Sequence, residues 1–191
     1  MSAPFWYDEY KGLEDKMIEL GVVPLLSIAV ATDIRANMIP NPLILAGAAV
    51  GFLLHGWAAG ASGVLAATYG LLVGLVILLP GYLMGFTGAG DAKLMAAVGT
   101  FLGPVGVLQA ALISIFIGGI IALGFAFSAL IFRRSVSPWG RYSLMFRTLV
   151  VTGRPLYIPP EEGEVMGKKF PFAVSIALGT IAWVVWQWPL A

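Results

Sequence analysis

Long apolar runs dominate the chain, at about 17–32, 42–56, 62–84, 92–102, 105–132 and 170–188. Polar residues do not return every third or fourth position within them, so no narrow apolar stripe faces a core. Each run therefore reads as a helix that is apolar all round. The run 92–102 is too short to cross a bilayer, which takes about 20 residues. It is expected to be a half-span, or a helix standing over a water-filled cavity. The pattern predicts an all-α fold. It is a polytopic membrane bundle of about six hydrophobic helices, one of them short, forming a single membrane-embedded domain over 1–191.

The polar segments between the runs set an orientation. With the N-terminus outside, six threaded helices leave 33–41, 85–93 and 133–169 inside. Those segments hold Arg35, Lys93, Arg133, Arg134, Arg141, Arg147, Arg154, Lys168 and Lys169. Only Lys11 and Lys16 fall outside, among five acidic residues in 8–19. An excess of basic residues marks the cytoplasmic side. Segment 1–16, with Phe5, Trp6, Tyr7 and Tyr10 among charges, reads as an interfacial N-terminal segment. No basic stretch precedes an apolar one there, so no secretory signal peptide is expected. The stretch 133–169 reads as a polar cytoplasmic loop whose basic part rests on anionic headgroups. Trp183, Trp186 and Trp188 read as an outer aromatic belt.

Composition narrows the chemistry. Of the 191 residues, 59% are hydrophobic and 11% charged, against about 25% charged in an average soluble domain. So much apolar surface in a short chain needs lipid as its solvent. There is no cysteine and one histidine, His55. Disulfides, thiolate nucleophiles and Cys or His metal clusters are thereby excluded, and no cofactor and no metal is expected. No nucleotide or nucleic-acid motif is present. The one Gly-x-Gly stretch precedes an acid, which repels phosphate. His55 is placed near the outer end of its run, at the interface.

Between Glu19 and Arg133 only Asp33, Arg35, Asp91 and Lys93 are charged. They form two matching sets, Asp-x-Arg and Asp-x-Lys, each at the cytoplasmic end of an expected span. Ionisable groups in such places are costly and mark functional sites by default. Asp33 closes the first run. Asn41 and Pro42 then read as the N-cap and first residue of the next helix. Gly88 and Gly90 flank Ala89 just before Asp91, and glycine there admits backbone conformations or close approaches that bulkier residues block. The structural alternative makes Asp91 a plain helix cap and Asp33 an interface charge paired with Arg35. Two acids on one face, with almost no other charge nearby, favour a pair that works together. Peptide hydrolysis without a metal or nucleophile needs a base for water and an acid for the carbonyl or amine. Two aspartates a few ångströms apart share a proton and supply both.

These segments resemble the type IV prepilin peptidases, membrane aspartyl proteases of the GxGD class. Gly88-Ala89-Gly90-Asp91 matches the class motif, and Lys93 extends it to G-x-G-D-x-K. Residues 33–41 match the pattern D-x-[RK]-x-x-x-I-P-N around the other aspartate, and Lys169-Phe170-Pro171-Phe172 resembles the start of the family's last helix. The resemblance implies catalytic Asp33 and Asp91, with Gly88, Gly90, Lys93 and Arg35 in support and Pro171 as a possible substrate contact. It implies a bacterial inner-membrane enzyme that removes a short basic leader from a prepilin or pseudopilin on the cytoplasmic side. Longer family members carry a zinc-binding insertion with two C-x-x-C pairs, associated with N-methylation. A cysteine-free chain resembles the short members serving Tad/Flp-type pili, and methyltransferase activity is not expected. Two rivals come from other classes: a small proton-coupled transporter, and a structural subunit of a secretion or pilus assembly machine. A transporter calls for acids nearer the bilayer middle and an internal repeat.

Overall fold

A computed structural model describes residues 20–131, 139–153, 158 and 171–187. The expected N-terminal interfacial segment 1–16, the Trp188 end of the aromatic belt, and Arg133, Arg134, Arg154, Lys168 and Lys169 lie outside the described residues. The described residues form five helices and no strand. They are α1 (Val22–Ala36), α2 (Asn41–Leu83), α3 (Ala89–Ile131), α4 (Trp139–Thr152) and α5 (Phe172–Gln187). Two of them, Asn41–Leu83 and the Ala89–Gly124 part of α3, are long and apolar enough to cross a membrane.

The six apolar runs thus fall on four helices. Four of the runs lie in pairs on α2 and α3, each of which is interrupted by one glycine. Gly60 has φ 58° and ψ −134°, and Gly103 has φ 66° and ψ −177°. An L side chain is strained in both conformations. At Gly60 the chain doubles back: a Cβ on Gly63 would strike the His55 carbonyl and Ala59. In an unbroken helix residues 55 and 63 lie about 12 Å apart along the axis. The stretch 133–169 is not a plain loop, because it contains α4. Arg147 and Thr148 share α4 with exposed Leu144, Phe146, Val150 and Val151 and with buried Met145.

Helix ends follow local chemistry. Pro24 sits in the first turn of α1, where a missing N–H costs nothing. The helix stops at Asn37, which takes the left-handed conformation (φ 49°, ψ 35°) and donates its N–H to the Asp33 carbonyl at 2.8 Å. Asparagine tolerates this conformation better than most residues. Extended Pro40 then caps α2. The expected cap is therefore shifted by one: Asn41 is the first helical residue, and its side chain makes no cap bond.

In lipid, apolar burial drives helix pairing weakly, so close packing must do more. The second arm of α2 (61–83) lies antiparallel against the first arm of α3 (89–102). Gly70 faces the Gly99 backbone and Gly74 faces the Met95 backbone. The first arm of α2 sets Gly47 on Leu25 of α1 and Gly51 on Thr100 of α3. The arm 89–102 is the hub, with Leu94, Met95, Val98 and Phe101 fully buried. Beyond Gly103, α3 packs along α5. Gly106 meets the Trp183 ring, Gly179 meets Ser114, and Gly118 meets the Phe172 ring.

Trp183 departs from its expected place in an outer belt. Trp183 is turned inward and donates Nε1–H to Gln109 Oε1 at 2.7 Å, while Trp186 is exposed. His55 Nε2 lies 3.0 Å from the Phe101 carbonyl, two residues before the α3 break. It ties the first arm of α2 to the top of the hub. Replacing His55 with Ala should lower stability in detergent by about 1 kcal/mol, the usual net worth of one such bond. A thermal melt followed by circular dichroism measures it.

Candidate active site

Both aspartates singled out in the sequence come to one end of the bundle, by different local routes. Asp33 lies in the last turn of α1 and is 7% exposed. Its Oδ2 accepts the backbone N–H of Ala173 at 3.3 Å. Ala173 is in the first turn of α5, where helical N–H groups have no partner within their own helix. The α1 carboxylate fills that vacancy from 140 residues away. Pro171, just before α5, accepts the Val174 N–H at 3.1 Å and so acts as a helix-entry residue.

Asp91 is 8% exposed and sits in the first turn of α3. Its Oδ2 accepts the Gly88 N–H at 2.7 Å. This is the reciprocal half of a capping box, in which the third helical residue reaches back to the residue before the helix. Asp91 is therefore not the N-cap itself, a place Gly88 holds, but it braces the helix start with one oxygen. Asp33 makes no ion pair with Arg35. It is bonded to Ala173 instead, and Arg35 is exposed without a carboxylate partner among the described residues. Each aspartate has Oδ2 held by a backbone N–H, and no bond is made to either Oδ1 among the described residues. Both carboxylates are buried, and Ile39, six residues after Asp33, packs on Gly90, next to Asp91, so the two lie at the same end of the bundle.

The surrounding residues are arranged as follows. Gly88 is packed tightly against its own aspartate, since a Cβ there would lie 3.1 Å from Asp91 Oδ2. Gly90 rests on Ile39 at ordinary contact distance, 3.6 Å. Neither has a positive φ; in this loop that role belongs to Gly85, at φ 76°. Close approach, and not backbone freedom, accounts for glycine at 88. Nothing in the structure requires it at 90. Lys93 Nζ donates to Asn41 Oδ1 at 3.1 Å, joining the first turn of α3 to that of α2. Sequence reasoning misses two participants here. The Ala173 amide is a backbone donor with no signature in residue type. Asn41 reads from the sequence as a cap, and its bond to Lys93 has no local signal.

One helix continues well past the level of the aspartates. Phe172 lies against Gly118 while its neighbour Ala173 bonds Asp33, so α3 has returned to the level of the aspartates by Gly118. It runs on through Ile131, about 13 residues or ~20 Å at 1.5 Å per residue. Ile120, Leu123 and Phe127 along this extension are exposed, and among the described residues no atom lies within 4 Å of a Cβ placed on Gly119 or Gly124.

A family model described as the type IV leader peptidase family matches residues 20–123, more than half of the chain. The match contains both aspartates and everything from α1 to the Gly118 level of α3. No curated protein and no solved structure matches the chain. With two membrane-length apolar helices and this match, the chain is a membrane protein that belongs to the type IV leader peptidase family.

Proposed function

We propose that the chain is an aspartic endopeptidase in which Asp33 and Asp91 form the catalytic dyad that removes the leader of a type IV prepilin or pseudopilin. One observation carries this: two buried carboxylates at one end of the bundle, each with one oxygen held by a backbone N–H. In the proposed dyad the two carboxylates meet at the substrate, where two like charges cannot both persist, so the pair shares one proton.

The chemistry follows from that shared proton. The ionised aspartate takes a proton from water as the water oxygen bonds to the scissile carbonyl carbon. The protonated aspartate hydrogen-bonds the carbonyl oxygen and transfers its proton as the tetrahedral intermediate forms. Collapse returns the hydroxyl proton to the second aspartate, restores the carbonyl and breaks the C–N bond, and the departing nitrogen takes the proton held by the first aspartate. The backbone N–H groups on Oδ2 fix both carboxylates before substrate arrives, so little is spent on reorientation.

The substrate's apolar helix lies in the bilayer beside the enzyme, with its leader junction brought to the dyad. The basic leader stays on the cytoplasmic side, where Arg35 and Lys93 also lie under the orientation in which basic segments are inside. The membrane is the bacterial inner membrane, crossed several times. The apolar extension of α3 past the aspartates, followed in sequence by Arg133 and Arg134, supports a dyad set beneath the headgroup level. The expected reaction needs no metal or cofactor and no methyl transfer.

The purified chain in detergent, mixed with a prepilin bearing a basic leader that ends in glycine, should yield one new N-terminus after that glycine. Mass spectrometry of the product reads it. An intact substrate under conditions where the enzyme is folded would overturn the proposal and favour a transporter or assembly subunit.

A further inference from the structure

The geometry points to Lys93 and Asn41 as a positioning pair that holds the two aspartate-bearing segments in register; this rests on the dyad proposed above. Asp33 and Asp91 lie on separate helices. Asp33 is joined to the α2 start through the short connection 37–40, since α2 begins at Asn41. Asp91 is two residues before Lys93. A bond between Lys93 Nζ and Asn41 Oδ1, 3.1 Å long and spanning 52 residues, therefore ties the segment just after Asp91 to the segment just after Asp33.

Alternative roles for the two residues fit less well. Asn41 does not cap α2, because extended Pro40 holds that position and no side-chain cap bond is made there. Lys93 makes no salt bridge to Asp91 or Asp33. The aspartates instead accept backbone N–H groups. Its ammonium is spent on a neutral amide oxygen across the helix pair. A surface lysine free to reach solvent on a flexible stem gains little from such a bond unless the geometry it fixes matters. Beneath the pair, Ile39 packs under Gly90, so the same two segments meet at a second point. Loss of the strap would let the α3 start move against the α1–α2 connection. The dyad spacing would change without loss of the fold.

The test is a kinetic comparison on the full-length protein in detergent with a prepilin substrate. Asn41→Ala and Lys93→Met should each lower kcat by about 10- to 100-fold, the scale of a misplacement near 1 Å, with KM unchanged. The double variant should be no worse than either single one, because the same bond is lost. Asn41→Asp keeps an acceptor and favours a helix first turn, so it should retain most of kcat. Circular dichroism melts confirm that each variant is folded. Additive losses, or a rise in KM for Lys93→Met with Asn41→Ala unaffected, would overturn the pairing and assign the lysine to substrate. An active Asp91→Asn variant would overturn the dyad itself. Inactive aspartate variants with a fully active Asn41→Ala would overturn the strap alone.

Discussion

Replacing either Asp33 or Asp91 with asparagine is expected to reduce leader cleavage by about 10³-fold or more, the scale on which a positioned acid or base contributes. The substitution suits the site. Asparagine has the shape of aspartate and keeps a side-chain oxygen. In Asp91→Asn the amide oxygen could still accept the Gly88 N–H that starts α3. In Asp33→Asn it could still accept the Ala173 N–H that starts α5. The fold should therefore survive, with melting in detergent close to that of the parent. What is lost is the shared proton, since an amide neither takes one from water nor gives one to a carbonyl. The structure separates this outcome from a capping effect. If Asp91 served only as a cap, Asp91→Asn would cleave normally, and Asp91→Ala would lower stability by about 1 kcal/mol with activity following the folded fraction. If the dyad acts, both asparagine variants are folded and inactive, and the double variant is no less active than either single one. Cleavage followed by gel shift of the substrate, with circular dichroism on the same samples, distinguishes the two.

The apolar runs and the two aspartate segments were legible in the sequence because lipid leaves so few ways to place charge. Asp33 and Asp91 stand out against more than a hundred nearly uncharged residues. Long-range closure was much less legible. That Lys93 meets Asn41, or that the Ala173 amide meets Asp33, depends on which helices are neighbours and at what height. No local spacing encodes this. Runs 42–56 and 62–84 lie on either side of Gly60, and runs 92–102 and 105–132 on either side of Gly103, where the backbone leaves the helical conformation. Helix α4 is hidden differently. Met145 and Leu149 recur at helical spacing, but the surrounding arginine, glycine and proline give the stretch the composition of a loop. Residue type alone puts Trp183 at the outer belt. Its ring is instead held by Gly106 and Gln109.

The Gly70–Gly99 crossing carries the second large effect. A Cβ on Gly70 would collide with the Gly99 carbonyl, and a Cβ on Gly99 with the Gly70 carbonyl. Both obstacles are backbone, which cannot rotate aside as a side chain can. The arms must separate, and α3 is the arm that moves Asp91. Gly70→Ala or Gly99→Ala should destabilise the protein by ~3 kcal/mol, the upper end for overpacking a tight interior, and should lower cleavage through displacement of the dyad. Gly119→Ala and Gly124→Ala supply the contrast, because among the described residues no atom lies within 4 Å of the added carbon. Alanine is the better helix former by roughly 0.5–1 kcal/mol, so these two variants should melt at or slightly above the parent temperature. All four changes add the same methyl group to a helical glycine on an apolar helix, so hydrophobicity and propensity cancel in the comparison. Only the neighbouring backbone differs. Equal melting of Gly70→Ala and Gly119→Ala would mean that the arms 61–83 and 89–102 do not cross where the structure places them. The hub that carries Asp91 to Asp33 would then need a different packing.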